Sequence, residues 1–426
     1  GLLDINEGGF GFHMWKGVER ATVESLLSNL PTNTDSFAMQ NLMRRLLLSR
    51  AKTPAGKGGS SLLALRAKLL LALGNTSEVQ KLIDLIPSGK REKEISRIEA
   101  DTRFLVHDSA RACEIAFGQI EAKMELYWQN ALIFCQILSG DTSKASLGIS
   151  LMRELGHDVS LINQLVDSVI SKEAIVLESF SNPTPIELAL ARIAQTKLPE
   201  DVLSTSNSAI LRAIAVSPNA EPMLRIDAAE RARASNALDV DVLRQIYTSA
   251  EFNADERQFP LTYALEKEGV LGRALLFQTA LSQKAALAKV ETIAKALDLA
   301  RREGRYLSVV FAFRPFLDSV SPSSEMLWFA PEALRAYLSL RDPNGVNTWF
   351  SILRASALFH EDSNDLLRRI RPLGRLIKVD DFNQNLGEIL SDWWQSIAPE
   401  NHATQRATLI FSLFEALGEK VPNSLW

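Results

Sequence analysis

Apolar residues recur at helical spacing along most of the 426-residue chain, while runs of β-branched residues are sparse. Three segments align with one another without gaps, and the step between them is 33 residues each time. They are LALGNTSEVQKLI from Leu71, FLVHDSARACEIA from Phe104 and ILSGDTSKASLGI from Ile137. Each segment contains the end of one apolar helix and the start of another, so the pattern predicts stacked helix-turn-helix units.

The turn inside each unit has a defined residue pattern. Its first residue suits a left-handed helix cap, and its second residue suits the N-cap of the next helix. These pairs are Gly74-Asn75, His107-Asp108 and Gly140-Asp141. A small or β-branched residue follows where the two helices would approach closely, at Val79, Ala112 and Ala145.

The step matches helical repeats of about 34 residues, and the stretch resembles the tetratricopeptide repeat (TPR), although the aromatic signature of that family is largely missing. We therefore predict an all-α fold, an α-solenoid of TPR-like helix-turn-helix repeats that forms a curved superhelix. Such stacked hairpins expose a broad concave surface suited to gripping another protein.

Four regions are predicted along the chain. Residues 1–60 form a Gly-rich arm and two helices, near Arg20–Asn29 and Ser36–Leu48, and residues 61–172 hold the TPR-like repeats. Residues 173–260 are broken by prolines and form an irregular helical junction. Residues 261–426 carry C-terminal helical repeats with turns at Gly304 and Asp342–Gly345.

The composition of the chain limits the classes of partner that we expect. The net charge is −4 and no long basic run occurs, which disfavours nucleic acid. No apolar stretch reaches the roughly 18 to 20 residues of a transmembrane segment. The chain begins at Gly1 and not at Met, as expected of a chain from which a secretory signal peptide has been removed.

The chain has two cysteines, Cys113 and Cys135, which lie on neighbouring helices at equal distances from a turn predicted near Glu121–Glu125. Equal distances place them at the same height in an antiparallel hairpin. Their expected apolar faces are Cys113 with Ala116, Phe117 and Ile120, and Cys135 with Trp128, Ala131, Leu132 and Leu138. We predict a disulfide and hence an oxidising compartment; the alternative is two free cysteines packed as small core residues.

The sequence has few residue patterns typical of a catalytic or ligand-binding site, and we predict no catalytic residue, no metal site and no cofactor. Two cysteines without nearby histidines do not complete a zinc shell. Glu178-Ser179 resembles the Glu-Ser motif of soluble lytic transglycosylases, which attach a catalytic domain to a helical superhelix. This resemblance implies an alternative, a peptidoglycan-acting enzyme with Glu178 as its acid.

Aromatic residues supply the candidates for partner binding. The Gly-rich arm contains Phe10, Phe12 and Trp15 and could order on a neighbouring subunit; the alternative is an arm that packs on its own chain. Adjacent residues on a helix point about 100° apart, so one of Trp393 and Trp394 should face outward. An outward tryptophan is a candidate interface residue, and packing of both in the core is the alternative.

Three stretches, MWKGVERATVESLLSNLP, LLALRAKLLLALGN and YWQNALIFCQILSGD, resemble a group of alphaproteobacterial envelope proteins, some of which carry the automatic name antifreeze protein. The resemblance implies export and an α-solenoid. We expect a non-enzymatic periplasmic scaffold for protein–protein assembly, such as a flagellar-motor or secretion accessory, whose partners can include copies of itself. A cytosolic TPR-like adaptor is a further alternative.

Overall fold

The computed structural model describes residues 1–34, 36–59, 61–87, 91–119, 125–266, 269–378 and 385–426. Within these ranges lie 23 α-helices, and extended pairing is limited to three isolated bridges. The predicted all-α, solenoid-like fold is confirmed. The chain divides into two compact units, Gly1–Ala250 and Glu251–Trp426, so most of the predicted junction over residues 173–260 belongs to the first unit.

The first unit contains thirteen of these helices. They are α1 (Arg20–Ser28), α2 (Phe37–Leu48), α3 (Leu62–Ala72), α4 (Thr76–Asp84), α5 (Lys93–Leu105), α6 (Ser109–Gly118), α7 (Leu126–Leu138), α8 (Thr142–Glu154), α9 (Ser160–Ser171), α10 (Pro185–Ile193), α11 (Ser208–Ala215), α12 (Pro222–Ala234) and α13 (Val240–Ser249). The two helices predicted beside the arm are α1 and α2, each within one residue of the expected bounds.

The second unit contains the other ten. They are α14 (Ala254–Gln258), α15 (Pro260–Glu266), α16 (Val270–Ser282), α17 (Ala286–Arg302), α18 (Tyr306–Asp318), α19 (Ala330–Ser339), α20 (Pro343–Ala357), α21 (Glu361–Leu376), α22 (Leu386–Ile397) and α23 (Ala403–Ala416). Consecutive helices pack against each other from α14 through α23.

The three predicted turns join α3 to α4, α5 to α6, and α7 to α8. Gly74, His107 and Gly140 have φ angles of 82°, 63° and 80°. In the first turn the Gly74 N–H donates to the Leu71 carbonyl (2.8 Å) and the Asn75 N–H to the Leu70 carbonyl (2.9 Å), which is a Schellman motif. The other two turns make the same pair of bonds. Val79, Ala112 and Ala145 are buried between helices, as predicted.

The second unit also has turns with a left-handed residue between consecutive helices. Gly304 turns the chain between α17 and α18 with a φ of 69°, as predicted, and Arg341 does so between α19 and α20 with a φ of 56°. The predicted turn at Asp342–Gly345 begins too late, because the carboxylate of Asp342 accepts hydrogen bonds from the Asn344 and Gly345 N–H groups and caps α20. Pro343 then starts the helix, because its fixed φ suits the first helical position.

The segment after α9 folds back over the repeats. Helix α10 packs against α5, α7 and α9, and α11 packs against α3 and α5. Seven of the eight residues of α11 are buried. Part of each first helix of the three hairpins is therefore packed against this later segment of the same chain.

The arm makes backbone hydrogen bonds to its own chain. Its ordering on a neighbouring subunit stays a prediction. The Leu2 and Leu3 N–H groups both donate to the Leu48 carbonyl (2.7 and 3.0 Å), and the Arg50 N–H donates to the Leu3 carbonyl (2.7 Å). Buried Arg66 of α3 donates to the carbonyls of Leu47 and Ser49, which satisfies the end of α2.

The turn glycines give a matched test of this packing. A Cβ on Gly140 would meet nothing within 4 Å, whereas a Cβ on Gly74 would lie 2.1 Å from the Cβ of Ala237 in the returning segment. We expect Gly140→Ala to lower the free energy of unfolding by about 1–2 kcal/mol through the left-handed backbone alone. Gly74→Ala should cost roughly 3 kcal/mol or more, because overpacking adds to the same backbone strain. Urea unfolding of the two variants measures the difference, and equal losses would contradict the packing of Ala237 against this turn.

Candidate functional site

The two cysteines lie at bonding distance. Their sulfur atoms are 2.04 Å apart and their Cα atoms 5.6 Å apart, which links α6 to α7. Cys113 is 8% exposed and Cys135 is 2% exposed. The predicted pairing is confirmed in its geometry, although most of the turn predicted near Glu121–Glu125 lies outside the described residues.

The predicted apolar faces around the cysteines are only partly correct. Ala116, Trp128 and Ala131 are buried, as predicted, and Ile120 lies outside the described residues. Phe117 is 49% exposed and Leu138 is also exposed. The reason is that α6 buries a narrow stripe of small residues, Ala112, Cys113 and Ala116, and leaves the neighbouring Phe117 outside it.

Two of the three aromatic arm residues converge on one surface. An open cleft of about 320 Å³, here called the arm cleft, is lined by Phe12, His13, Trp15, Lys16, Gly17, Lys52, Thr53, Pro54 and Ala55. Phe12 is 53% exposed, and Trp15 is partly buried. Phe10 lies apart from this cleft, where its ring faces the guanidinium of Arg45 at 5.1 Å.

The tryptophan pair belongs to the core of the second unit. Trp393 is 3% exposed and packs with Leu390, Phe411 and Phe414, and Trp394 is partly buried against the same cluster. Helix α22 packs against both α21 and α23, and each of these helices covers part of its surface. This placement matches the core alternative, and it leaves Trp393 unavailable to a partner.

Glu178 lies exposed between α9 and α10. The hydroxyl of the next residue, Ser179, donates to the carboxylate of Asp201. An apolar surrounding is typical of a glutamate that acts as a general acid at neutral pH, and the exposed Glu178 lacks it. The lytic-transglycosylase interpretation stays an untested prediction.

Sequence reasoning missed a polar contact between α5 and α7. The Tyr127 hydroxyl donates to Asp101 Oδ1 (2.8 Å), and the guanidinium of Arg97 lies over the Tyr127 ring at 4.4 Å. Burial raises the pKa of Asp101 to about 6, against the opposing effects of the Tyr127 hydrogen bond and Arg97. The spacing of Arg97 and Asp101, one helical turn apart, was the available signal.

This contact borders a cleft of about 750 Å³ at the beginnings of α7, α9 and α10. Two acidic side chains in its lining already accept hydrogen bonds from backbone N–H groups near the starts of α9 and α10. Asp158 accepts from the Ser160 N–H (3.0 Å), and Glu187 accepts from the Thr184 N–H (2.7 Å). We therefore interpret these carboxylates as groups that stabilise the helix starts, Asp158 just before the first turn of α9 and Glu187 in the capping box of α10.

His107 is the exception among the hairpin turns. It holds a left-handed conformation at the position where the other two repeats have glycine. Its Nδ1 accepts from the Arg192 guanidinium of α10 at 2.5 Å, and its Nε2 is buried without a partner among the described residues. Burial, with smaller contributions from Arg192 and Arg212, lowers the pKa of His107 to about 4. His107 thus joins a repeat turn to the returning helix as a neutral imidazole.

Two further observations bear on the kind of protein this is. In the part of the chain that the structure describes, no group of three or more His, Cys, Asp or Glu residues could hold a metal ion. Nor does any described helix combine the length and apolar character required to cross a membrane.

The fold and these contacts define a class, an all-α solenoid-like protein with one buried disulfide. No protein-family model matches the chain, and neither a curated protein nor a solved structure shows significant similarity to it.

The disulfide predicts a measurable stability difference. It closes a loop with a sequence separation of 22. We expect the Cys113→Ala, Cys135→Ala double variant to lose about 3 kcal/mol of unfolding free energy, because the bond restricts the unfolded chain. Wild type unfolded in urea with dithiothreitol should show a similar loss. Two reactive thiols in unreduced, unfolded protein would contradict the bond.

His107 predicts a pH dependence. In the unfolded chain the pKa of His107 is near the ordinary 6.5, whereas burial in the folded protein, with Arg192 and Arg212, lowers it to about 4, so between these values the unfolded chain binds more protons. Wild type should therefore lose stability as the pH falls from about 6.5 to about 4. His107→Asn tolerates the left-handed turn and does not titrate, so it should lack this part of the loss, up to about 2 kcal/mol for a partly exposed histidine. Identical pH profiles in urea unfolding would contradict the burial of His107 as a neutral imidazole.

Proposed function

We propose that this protein is an exported, non-enzymatic scaffold that assembles other proteins in an oxidising compartment, the periplasm of a bacterial envelope. The observation that carries the proposal is the buried disulfide between α6 and α7. Disulfides persist in the periplasm and other oxidising compartments, and the cytosol keeps thiols reduced. The alternative of a cytosolic adaptor requires the same two sulfur atoms to be unbonded.

Exposed apolar side chains support a binding role. Phe117 on α6 and both Leu147 and Leu151 on α8 are exposed on the second helices of their hairpins, and Phe12 is exposed in the arm cleft. Helices α10 and α11 cover the first helices of the hairpins. The surfaces that we propose for partners in this unit are the arm cleft and the exposed faces of the second helices. A flagellar-motor or secretion assembly is the kind of envelope structure that such a scaffold would serve.

The proposal predicts the behaviour of the protein in its native cells. Wild type should fractionate with the periplasm, carry no free thiol after alkylation during lysis, and retain partner proteins after cross-linking. The Phe12→Ala, Trp15→Ala double variant should lose the partner that binds the arm cleft, because two apolar contacts are removed. Phe259→Ala is the matched control, since it also removes an exposed phenylalanine but lies outside that cleft. Cytosolic protein with two free thiols would contradict the proposal.

A further inference from the structure

The arm cleft is held in shape by backbone bonds on both sides. The Lys52 N–H donates to the Phe12 carbonyl (2.8 Å), and the Arg20 N–H donates to the Ala55 carbonyl (2.8 Å). Residues 52–55 are thus tied at one end to the arm and at the other to the start of α1. A cleft formed before binding loses less conformational entropy when a ligand enters.

The charge of this cleft differs from that of the chain. Its lining contains Lys16, Lys52 and His13 and no carboxylate, while the chain as a whole has a net charge of −4. Neither lysine forms an ion pair among the described residues. Unpaired cations beside an exposed aromatic ring favour a ligand with negative charge and an apolar group.

The apolar part of the lining limits the shape of that ligand. Phe12, Trp15 and Pro54 contribute rings to the cleft. A volume of about 320 Å³ lies at the lower end of the range for small-ligand pockets, so it suits one or two bulky side chains and not a folded domain. Aromatic grooves of this kind hold extended, proline-containing peptides well, because such peptides have little conformational freedom to lose.

We propose that the arm cleft binds an extended acidic segment of a partner protein, which inserts an aromatic or proline side chain beside Phe12 and Trp15 and places carboxylates near Lys16 and Lys52. This inference rests on the proposed scaffold function and names the chemistry of one partner. The inference does not depend on the disulfide, which is the observation that supports an oxidising compartment.

The probe is a synthetic, fluorescein-labelled hexapeptide with a central Trp-Pro pair flanked by two acidic residues on each side, and binding is measured by fluorescence anisotropy on the full chain. We expect wild type to bind it and to bind at least about tenfold more weakly a peptide with lysines in place of the acidic residues. The Lys16→Glu, Lys52→Glu variant should reverse this preference. Phe12→Ala should weaken binding about tenfold or more, whereas Phe259→Ala and Lys420→Glu should leave it unchanged.

The outcomes of these binding experiments distinguish the inference from the proposed function. Circular dichroism and thermal unfolding first confirm that the variants fold like wild type. Equal affinity for the acidic and basic peptides, no binding of either, or preferential binding of a chitin oligosaccharide would overturn the inference. If the peptide fails while the native partner still requires Phe12 and Trp15, the inference alone is wrong. If the partner is also retained without them, the arm cleft has no part in the proposed function.

Discussion

The left-handed residue at the end of each first helix is the constraint on which the repeat architecture depends. It reverses the chain within about three residues, because the following residue already caps the next helix. The two helices must then run antiparallel in contact, which places Val79, Ala112 and Ala145 between them and requires them to be small or β-branched. The step of 33 residues follows from helices of similar length repeating around this one turn.

The three turns differ in what lies against them, and the difference traces the path of the returning segment. Nothing approaches a Cβ on Gly140, Ala237 closely approaches Gly74, and Arg192 bonds the side chain of His107. A non-glycine residue in this conformation costs roughly 1–2 kcal/mol. The contact with Arg192 offsets that cost only because α10 returns to this hairpin. The departure from the repeat pattern at His107 therefore marks a tertiary contact.

Local rules were enough to predict α1, α2, the repeat turns and the cysteine pair, since each depends on residues close in sequence. The return of α10 and α11 could not be predicted in this way. Its prolines indicate an interrupted segment, but Pro185 and Pro222 stand in the first turns of α10 and α12, where proline is compatible with a helix. The particular contacts of the arm were also beyond prediction, because backbone groups make many of them and leave little pattern in the side chains.

The second hairpin, α5 and α6, is joined to other elements of the first unit by three different kinds of contact. His107 joins its turn to α10, the ring of Phe104 packs edge-on against Phe134 of α7, and Cys113 bonds to Cys135. Reduction would remove the covalent tie of α6 to α7 and leave the ties of α5 in place. The exposed face of α6 that carries Phe117 depends on that tie, whereas the arm cleft lies on other elements. A reducing compartment would thus loosen the surface around Phe117 before the arm cleft. Under the proposed scaffold function, the redox state of the compartment would therefore affect which of the two surfaces binds a partner.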